Sequence, residues 1–578
     1  MLLGISESIS KRKKESALIM RKQTKLVAVL STAALLAVGA SMTSFAATGW
    51  QEENGTWVYY SKSGDKETEK WEKSGDNWFY LNEDGEMATD AIIEYSDNFY
   101  YVDENGAMVT NKWVSVENED YDGSDDEPVN YWYYFGSNGK AYKTSANTSN
   151  AVFKSINGKN YIFNDEGKML YGWIGADGER KTGDDAWENG NGVYYCGTEN
   201  DGAQTVGWLS LDIVDPNYEN TDKDGYSSKN VFDDENQTRW FYFKSNGKKL
   251  AGKKGETING KKYSFDEHGR MNAEWVFYGS PSVPTDSKAG QGTPSYSDKF
   301  KYFGSPEDGA RVTKGWFQVV ADENLNKGNY DDSSDAWYYS NKDGNLVASK
   351  IETVNGKKYA FDEFGRMRAG MRFIKFETGS TTKIASILAD DNDNYPFDTE
   401  DNFKLNANKL LKMGYSCYYF GSGSDGSMKT NKQSVSIDGE SFNFFFNKSG
   451  SLKGAGKNGE DNSKYYSSGM LMAADKDDKY AVVKIEDATD DAGKAVKLYS
   501  VLTTEDFINT YTTEKSSYDK EKYTEYYVVD STKVPTGVEF KLVNASGSVQ
   551  KNKSKAKDGN SRCYKQSGEK ITEIFVED

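Results

Sequence analysis

Three consecutive stretches of 21 residues decide the reading: GWQEENGTWVYYSKSGDKETE from Gly49 to Glu69, KWEKSGDNWFYLNEDGEMATD from Lys70 to Asp90, and AIIEYSDNFYYVDENGAMVTN from Ala91 to Asn111. Three registers keep this step together: Trp50, Trp71, Ile92 and Trp113; Trp57, Trp78 and Phe99; Gly64, Gly85 and Gly106. Each unit reads as a strand opening at the first Trp, a turn, a second strand such as Trp57-Val58-Tyr59-Tyr60, and a glycine turn. That is a β-hairpin of about 20 residues. A lone hairpin of this size is marginal in water. Stacking covers each ring with its neighbour and buries about 150 to 250 Å² per ring, roughly 4 to 6 kcal/mol gross at about 25 cal/mol per Å². The expected fold is all-β: hairpin repeats stacked into an elongated β-solenoid with an aromatic spine and long acidic hairpin loops.

Past Trp113 the repeat continues with insertions between its two strands. The spacing between paired Trp residues is 7 in Trp50/Trp57 and Trp71/Trp78, but 19 in Trp113/Trp132, 32 in Trp208/Trp240 and 21 in Trp316/Trp337. Short units without insertions alternate with these, from Ile156-Asn157-Gly158 to Gly167-Lys168-Met169, from Ile258-Asn259-Gly260 to Gly269-Arg270-Met271, and from Val354-Asn355-Gly356 to Gly365-Arg366-Met367. Weak copies persist to the end, with Gly547 and Gly568 again 21 apart. Residues 372–412, read as an extended loop, and 475–535, left unassigned, resist the pattern.

The start of the chain has a different character. From Met20 it reads a basic segment (Arg21, Lys22, Lys25), an apolar run from Leu26 to Ala40, then Ser44-Phe45-Ala46, which is the pattern of a secretory signal peptide. The expected division is a signal peptide over 1–46, N-terminal repeats over 47–148, alternating short and loop-inserted repeats over 149–470, an unassigned segment over 471–535, and degenerate repeats over 536–578. The apolar run is too short to span a bilayer comfortably, and no later run comes close, so no membrane span is expected.

Composition narrows the function classes. The chain has 578 residues, 71 Lys+Arg against 90 Asp+Glu, one His, three Cys, eight Pro, 40 Tyr, 28 Phe and 13 Trp. Removing 1–46 takes away seven bases and two acids, so the exported charge is 64 minus 88, or -24. Such a charge argues against nucleic acid as partner. One His and three Cys leave little for His-based catalysis, multi-His zinc sites or a disulfide framework, and no cofactor or metal is expected. The three thiols, Cys196, Cys417 and Cys563, occupy packing positions in distant units and read as free and buried. The acidic loops from Ser115 to Asn130 and Leu211 to Arg239 read as solvated charge rather than calcium sites, since neither has EF-hand spacing. His268 sits in a turn where sister units have Glu166 and Phe364, which argues against catalysis there.

The pattern Gly49-Trp50, Gly55-x-Trp57-x-Tyr59-Tyr60, Gly64, repeated as Trp71, Trp78-Phe79-Tyr80 and Gly85-Glu86-Met87, resembles the cell-wall-binding repeats of choline-binding proteins of Gram-positive bacteria. The Asn-Gly-Lys-Lys-Tyr-x-Phe-Asp-Glu form, Asn259 to Glu267 and Asn355 to Glu363, is also similar to the glycan-binding repeats of clostridial toxins and streptococcal glucosyltransferases. The resemblance covers most of 49–470 and implies aromatic cages made by two Trp of one hairpin and a ring of the next. Carried over by position, these are Trp71, Trp78 and Tyr100; Trp113, Trp132 and Tyr161; Trp208, Trp240 and Tyr263; Trp316, Trp337 and Tyr359; and a fifth set of Trp50, Trp57 and Phe79. Val193 and Phe300 replace the second Trp after Trp173 and Trp275, so those two units depart from the pattern.

Three rings worth about 0.5 to 2 kcal/mol each give a millimolar site before any multivalency. The repeats occupy most of the chain, and the leftover stretches are too small for a hydrolase domain. The expected function is a secreted, non-catalytic cell-wall-binding protein, held non-covalently at the wall by choline-substituted teichoic acid or polysaccharide. Two alternatives stay open: a surface adhesin or structural protein that binds a host glycan or protein, and a wall-modifying enzyme with an unrecognised site in 475–535.

Overall fold

The Asn-Gly pairs in these repeats set tight hairpins. Asn54-Gly55, Asn157-Gly158, Asn259-Gly260 and Asn355-Gly356 all have positive φ at both residues, the backbone that joins two strands without opposing their twist. In a computed structural model of the chain, which describes residues 48–578 apart from 124–126, 146–147, 219–230, 280–293, 389–396, 422, 424 and 476, strands Gly49–Glu53 and Thr56–Tyr60 pair antiparallel with Trp50 opposite Tyr59 and Glu52 opposite Trp57. Lys70–Ser74 with Asn77–Leu81, Ala91–Tyr95 with Asn98–Val102, and Lys112–Glu117 with Asn130–Phe135 repeat this register. The assigned signal peptide, 1–46, lies outside the described residues.

Each hairpin is tied to its predecessor by a short return after its second strand. The chain reverses at a glycine and bridges back, pairing Leu81 with Met87, Val102 with Met108 and Phe265 with Met271. The returning amide then donates to the preceding hairpin: Met87 N to Trp57 O at 2.7 Å, and Met108 N to Trp78 O, Met169 N to Trp132 O and Met271 N to Trp240 O, each at 2.8 Å. The residue at the end of the second strand, or just past it, is buried in unit after unit, as Leu81, Val102, Phe135 and Phe163, then Phe243, Phe265, Phe303 and Phe361. This buried column, one residue per hairpin, is the core that a single hairpin cannot make.

The chain falls into two compact units. One runs to Arg180 and adds Cys196–Gln204; the other takes Lys181–Tyr195 and Thr205–Asp578. Both are dominated by antiparallel hairpins, most of them two-stranded sheets. Among the described residues no helix is long and apolar enough to cross a membrane. Cys196, Cys417 and Cys563 are free and buried, and burial pushes the Cys196 thiol up to about 12.

Two stretches differ from the sequence expectation. Residues 372–412 are not an extended loop: Met371–Phe376 pairs with Ile384–Ile387 and Ser416–Tyr419, and Glu400–Lys412 is a helix. Thr399 caps that helix by accepting from Asn402 N at 3.1 Å, and Phe403, Ala407 and Leu410 enter a core with Phe373, Phe397 and Phe444. A stripe of only three apolar residues in a polar sequence is a weak helical signal beside the hairpin pattern. The division at 535/536 also disappears. Tyr480–Thr489 pairs with both Ala495–Leu502 and Val538–Asn544. A five-stranded sheet runs Thr512–Glu514, Tyr523–Val529, Lys570–Glu577, Arg562–Ser567, Ala556–Lys557. Gly547 serves a return bridged by Val543 and Val549, whereas Gly568 sits in the two-residue turn between Ser567 and Lys570. Their 21-residue spacing therefore joins glycines with different jobs.

Candidate functional site: aromatic clefts between hairpins

Strand alternation puts four side chains of each hairpin on one face: the first Trp, the residue two further on, the second Trp, and the Tyr two beyond it. In the fourth cleft these are Trp208, Ser210, Trp240 and Tyr242, with Trp208 opposite Tyr242 and Ser210 opposite Trp240. The cross-strand serine leaves room beside the second indole. Trp208 and Trp240 stand 6.3 Å apart at 83°, Trp208 packs on Tyr242 at 5.1 Å, and Tyr263 of the next hairpin closes in at 4.7 Å. The fifth cleft has the same shape. Trp316 and Trp337 are 6.3 Å apart at 83°, and Tyr359 lies 4.8 Å from Trp316.

The other three carried-over sets lie in the first unit. Trp113 packs on Tyr134 at 5.2 Å and on Tyr161 at 4.9 Å, with Trp132 across the strand pair from Ser115. Trp71 packs on Tyr80 and on Tyr100, both at 5.2 Å, and Trp78 is 41% exposed, more open than any other Trp of the five sets. Trp50 meets Tyr59 and Phe79, both at 5.4 Å, and Trp57 faces Glu52. In every set the first Trp and the ring of the following hairpin are in contact. The second Trp stands diagonally across the same face.

The residue opposite the second Trp was not legible as part of the site, because pairing register has to be known first. It is Glu52, Lys73, Ser115, Ser210 and Gln318 in chain order. A carboxylate at this point favours a cationic ligand and an ammonium opposes one, so five similar clefts differ in electrostatics.

The unit of Trp275 shows what a filled cleft looks like. Phe300 holds the second-Trp place, and Trp275 is buried against Phe300, Tyr302, Phe317 and Tyr338 at 5.1 to 6.4 Å. Phe277 and Tyr296 complete that cluster. Here the rings pack on one another, and Trp275 Nε1 donates to Val320 O at 2.9 Å.

The insertions are held by the short units that follow them. Arg270 donates to Asp266 Oδ2 at 2.5 Å and also bonds Asp215, in the insertion between Trp208 and Trp240. Its guanidinium lies 4.7 Å from the Trp187 ring, and Trp187 Nε1 donates to Val214 O at 3.0 Å. Burial opposes the Arg270 charge, yet the Asp266 and Asp215 carboxylates outweigh it and raise its pKa. Burial next to Arg270 lowers Arg239, at the end of the same insertion, to about 9. Arg366 repeats the device, donating to Asp362 at 2.8 Å and to Asn329 of the next insertion at 2.6 Å. Lys168 holds the equivalent place over Tyr131 at 4.1 Å. His268 accepts from Asn189 N at 3.0 Å and packs on Trp187. Of the described acids in the two loops Asp215 is buried, while Glu117, Glu119, Asp120, Asp122 and Glu127 in the first and Asp212, Asp233, Asp234 and Glu235 in the second are exposed, as the reading of solvated charge expects; 124–126 and 219–230 lie outside the described residues. The signal was present as the Asp-x-x-x-Arg spacing at 266/270 and 362/366. Among the described residues no three His, Cys, Asp or Glu gather as a metal site.

Residues 48–64 match the family model described as "Putative cell wall binding repeat", and residues 68–113 match "Choline-binding repeat". Glucosyltransferase-S of Streptococcus mutans serotype c is 27% identical over 288 residues, which is 41% of this chain and 19% of that protein. The chain thus spans about a fifth of the curated relative's length. Among solved structures, choline binding protein F of Streptococcus pneumoniae matches at 16% identity over 72% of this chain and 100% of its own, TM-score 0.29. The modular autolysin LytC of Streptococcus pneumoniae, in complex with a synthetic peptidoglycan ligand, matches at 18% identity over 57% and 55%, TM-score 0.29. Residues 48–64 and 68–113, whose aromatic hairpins pair in this register, are thus choline-binding-type cell-wall-binding repeats.

Proposed function

We propose that this chain is a non-catalytic, exported binding protein that attaches to the cell wall by enclosing quaternary ammonium groups of choline-bearing wall polymers in five aromatic clefts. The observation that carries this reading is the convergence of three rings from two hairpins, with two perpendicular indoles, at Trp208, Trp240 and Tyr263 and at Trp316, Trp337 and Tyr359. Perpendicular indoles with a phenol closing the third side present π-faces to a cation, each face contributing about 0.5 to 2 kcal/mol. A single cleft holds its ligand at about millimolar strength once association costs are met.

The test is retention on isolated walls and on an immobilised quaternary ammonium resin, with free choline as competitor. Choline elution of the full chain, and early elution of a Trp240→Ala/Trp337→Ala variant, is the expected result. Retention that choline does not disturb overturns the reading. The match to Glucosyltransferase-S favours a second ligand, a glucan stacked on the same rings; elution by glucan oligosaccharide and not by choline selects it.

A further inference from the structure

One cleft in the second unit carries a charge opposite to that of the chain. It has a volume of about 570 Å³ and is lined by Lys261 and Lys262 of one hairpin turn, Asp308 and Arg311 of the return that follows, and Lys342 and Asp343 of the turn after that. Four bases against two acids make it locally positive in a chain of net charge -19.

Sister units show which part of this is ordinary. Lys159 lies 3.5 Å from Asp201, and Lys261 lies 3.5 Å from Asp308, so the pairing of the hairpin-turn lysine with the return aspartate belongs to the repeat. The next two positions do not. Where the second unit has Lys262 and Arg311, the earlier one has Asn160 and Gln204, which bond each other at 3.1 Å, and the later one has Lys358 and Met428. Met428 adds no charge, and Asp425 there is taken by Lys429 and Ser427.

Arg311 is held in place. Its backbone N–H donates to Lys262 O at 2.8 Å, its Nη2 donates to Asp343 O at 2.8 Å, and its Nε is buried without a hydrogen-bond partner. Lys262 and Lys342 are exposed and make no ion pair among the described residues. Like charges gathered without partners repel one another unless an anion lies between them.

We infer that this cleft is an anion subsite that takes a phosphate group, distinct from the aromatic clefts. A phosphate oxygen set accepts several charge-assisted hydrogen bonds at once, which suits donors arriving from three separate turns. The inference stands whether or not the aromatic clefts hold choline.

The experiment titrates the full chain with inorganic phosphate, dimethyl phosphate and acetate by isothermal calorimetry and ³¹P line broadening. Phosphate binding in the wild-type chain is expected. It should weaken at least about tenfold in Lys262→Gln/Lys342→Gln and tighten about threefold in Asp308→Asn, which frees Lys261. Choline binding should be unchanged in both variants. Dimethyl phosphate binding as well as phosphate places the source in a polymer diester, and binding of phosphate alone places it in a monoester; both uphold the site. Acetate binding as tightly as phosphate, or an unchanged phosphate affinity in the double lysine variant, overturns it.

Discussion

Asp322 shows how a single buried group reports on the fold. Its carboxylate accepts from Asn324 N at 2.8 Å, and its carbonyl accepts from Leu325 N and Asn326 N, each at 3.0 Å, so it shapes the insertion after Trp316. Burial disfavours its charged form and, against those hydrogen bonds, raises its pKa from 3.8 to about 6. A carboxylate raised on folding stabilises the fold when protonated, so that stabilisation is complete below about pH 4 and is lost as pH rises through about 6. Asp322→Asn keeps the acceptor and removes the charge. It is expected to raise stability at pH 7 by on the order of 3 kcal/mol, with the difference vanishing near pH 4, as read from denaturant unfolding at both pH values. The sequence marked this residue only as one more acid in an insertion, since burial is a property of the surroundings. The Trp positions were legible one by one because each recurs at a fixed step. Their cross-strand neighbours were not, because Lys73 and Glu52 become partners of Trp78 and Trp57 only after the strands pair.

At the scale of the element, the turn glycines separate backbone strain from packing between hairpins. Gly64 has φ +86 with open space where a Cβ would stand, whereas Gly106 has φ +76 and a Cβ there would lie 2.9 Å from Met87 Sδ. Gly64→Ala is expected to cost about 1 kcal/mol from the left-handed backbone alone. Gly106→Ala should cost about 2 to 3 kcal/mol, because it also pushes on the preceding unit. Thermal unfolding of the two variants checks the difference, and equal costs would mean that the Met87 contact contributes nothing. The insertions give a second prediction. Arg270→Met leaves Asp215 and Asp266 buried without their shared partner and is expected to destabilise by about 3 to 5 kcal/mol. Hydrogen exchange should quicken around Asp212 to Asp215 well before it does so at Phe361. The hairpins themselves were legible from paired Trp, Asn-Gly turns and return glycines, all of which are local. The helix Glu400–Lys412 was not, since its reason to exist is the core formed with Phe373 and Phe444 from distant strands.

For the whole molecule the proposed binding at five weak clefts implies avidity. Ligands repeated along one polymer turn the second and later contacts into intramolecular events, raising apparent affinity by roughly 10² to 10⁴ over a single cleft. The chain is expected to leave wall polymer slowly on dilution and quickly when millimolar free choline is added. Trp240→Ala/Trp337→Ala should shorten residence on polymer by about tenfold or more while the remaining clefts bind free choline as before. Surface plasmon resonance on immobilised wall polymer, beside calorimetry with choline, measures both. The sequence by itself determined the hairpin, its repeat and the recurrence of ring triplets, because turn chemistry and strand alternation act over a few residues. Only the tertiary structure decided how far the rings close, leaving Trp208 half-buried and burying Trp275 against Phe300 and Tyr338. It alone showed that Arg270 and Arg366 pin the insertions and that 480–578 folds as sheets of its own pairing. The physical reason is that burial and ion pairing depend on which surfaces meet, and those surfaces come from residues far apart in the chain.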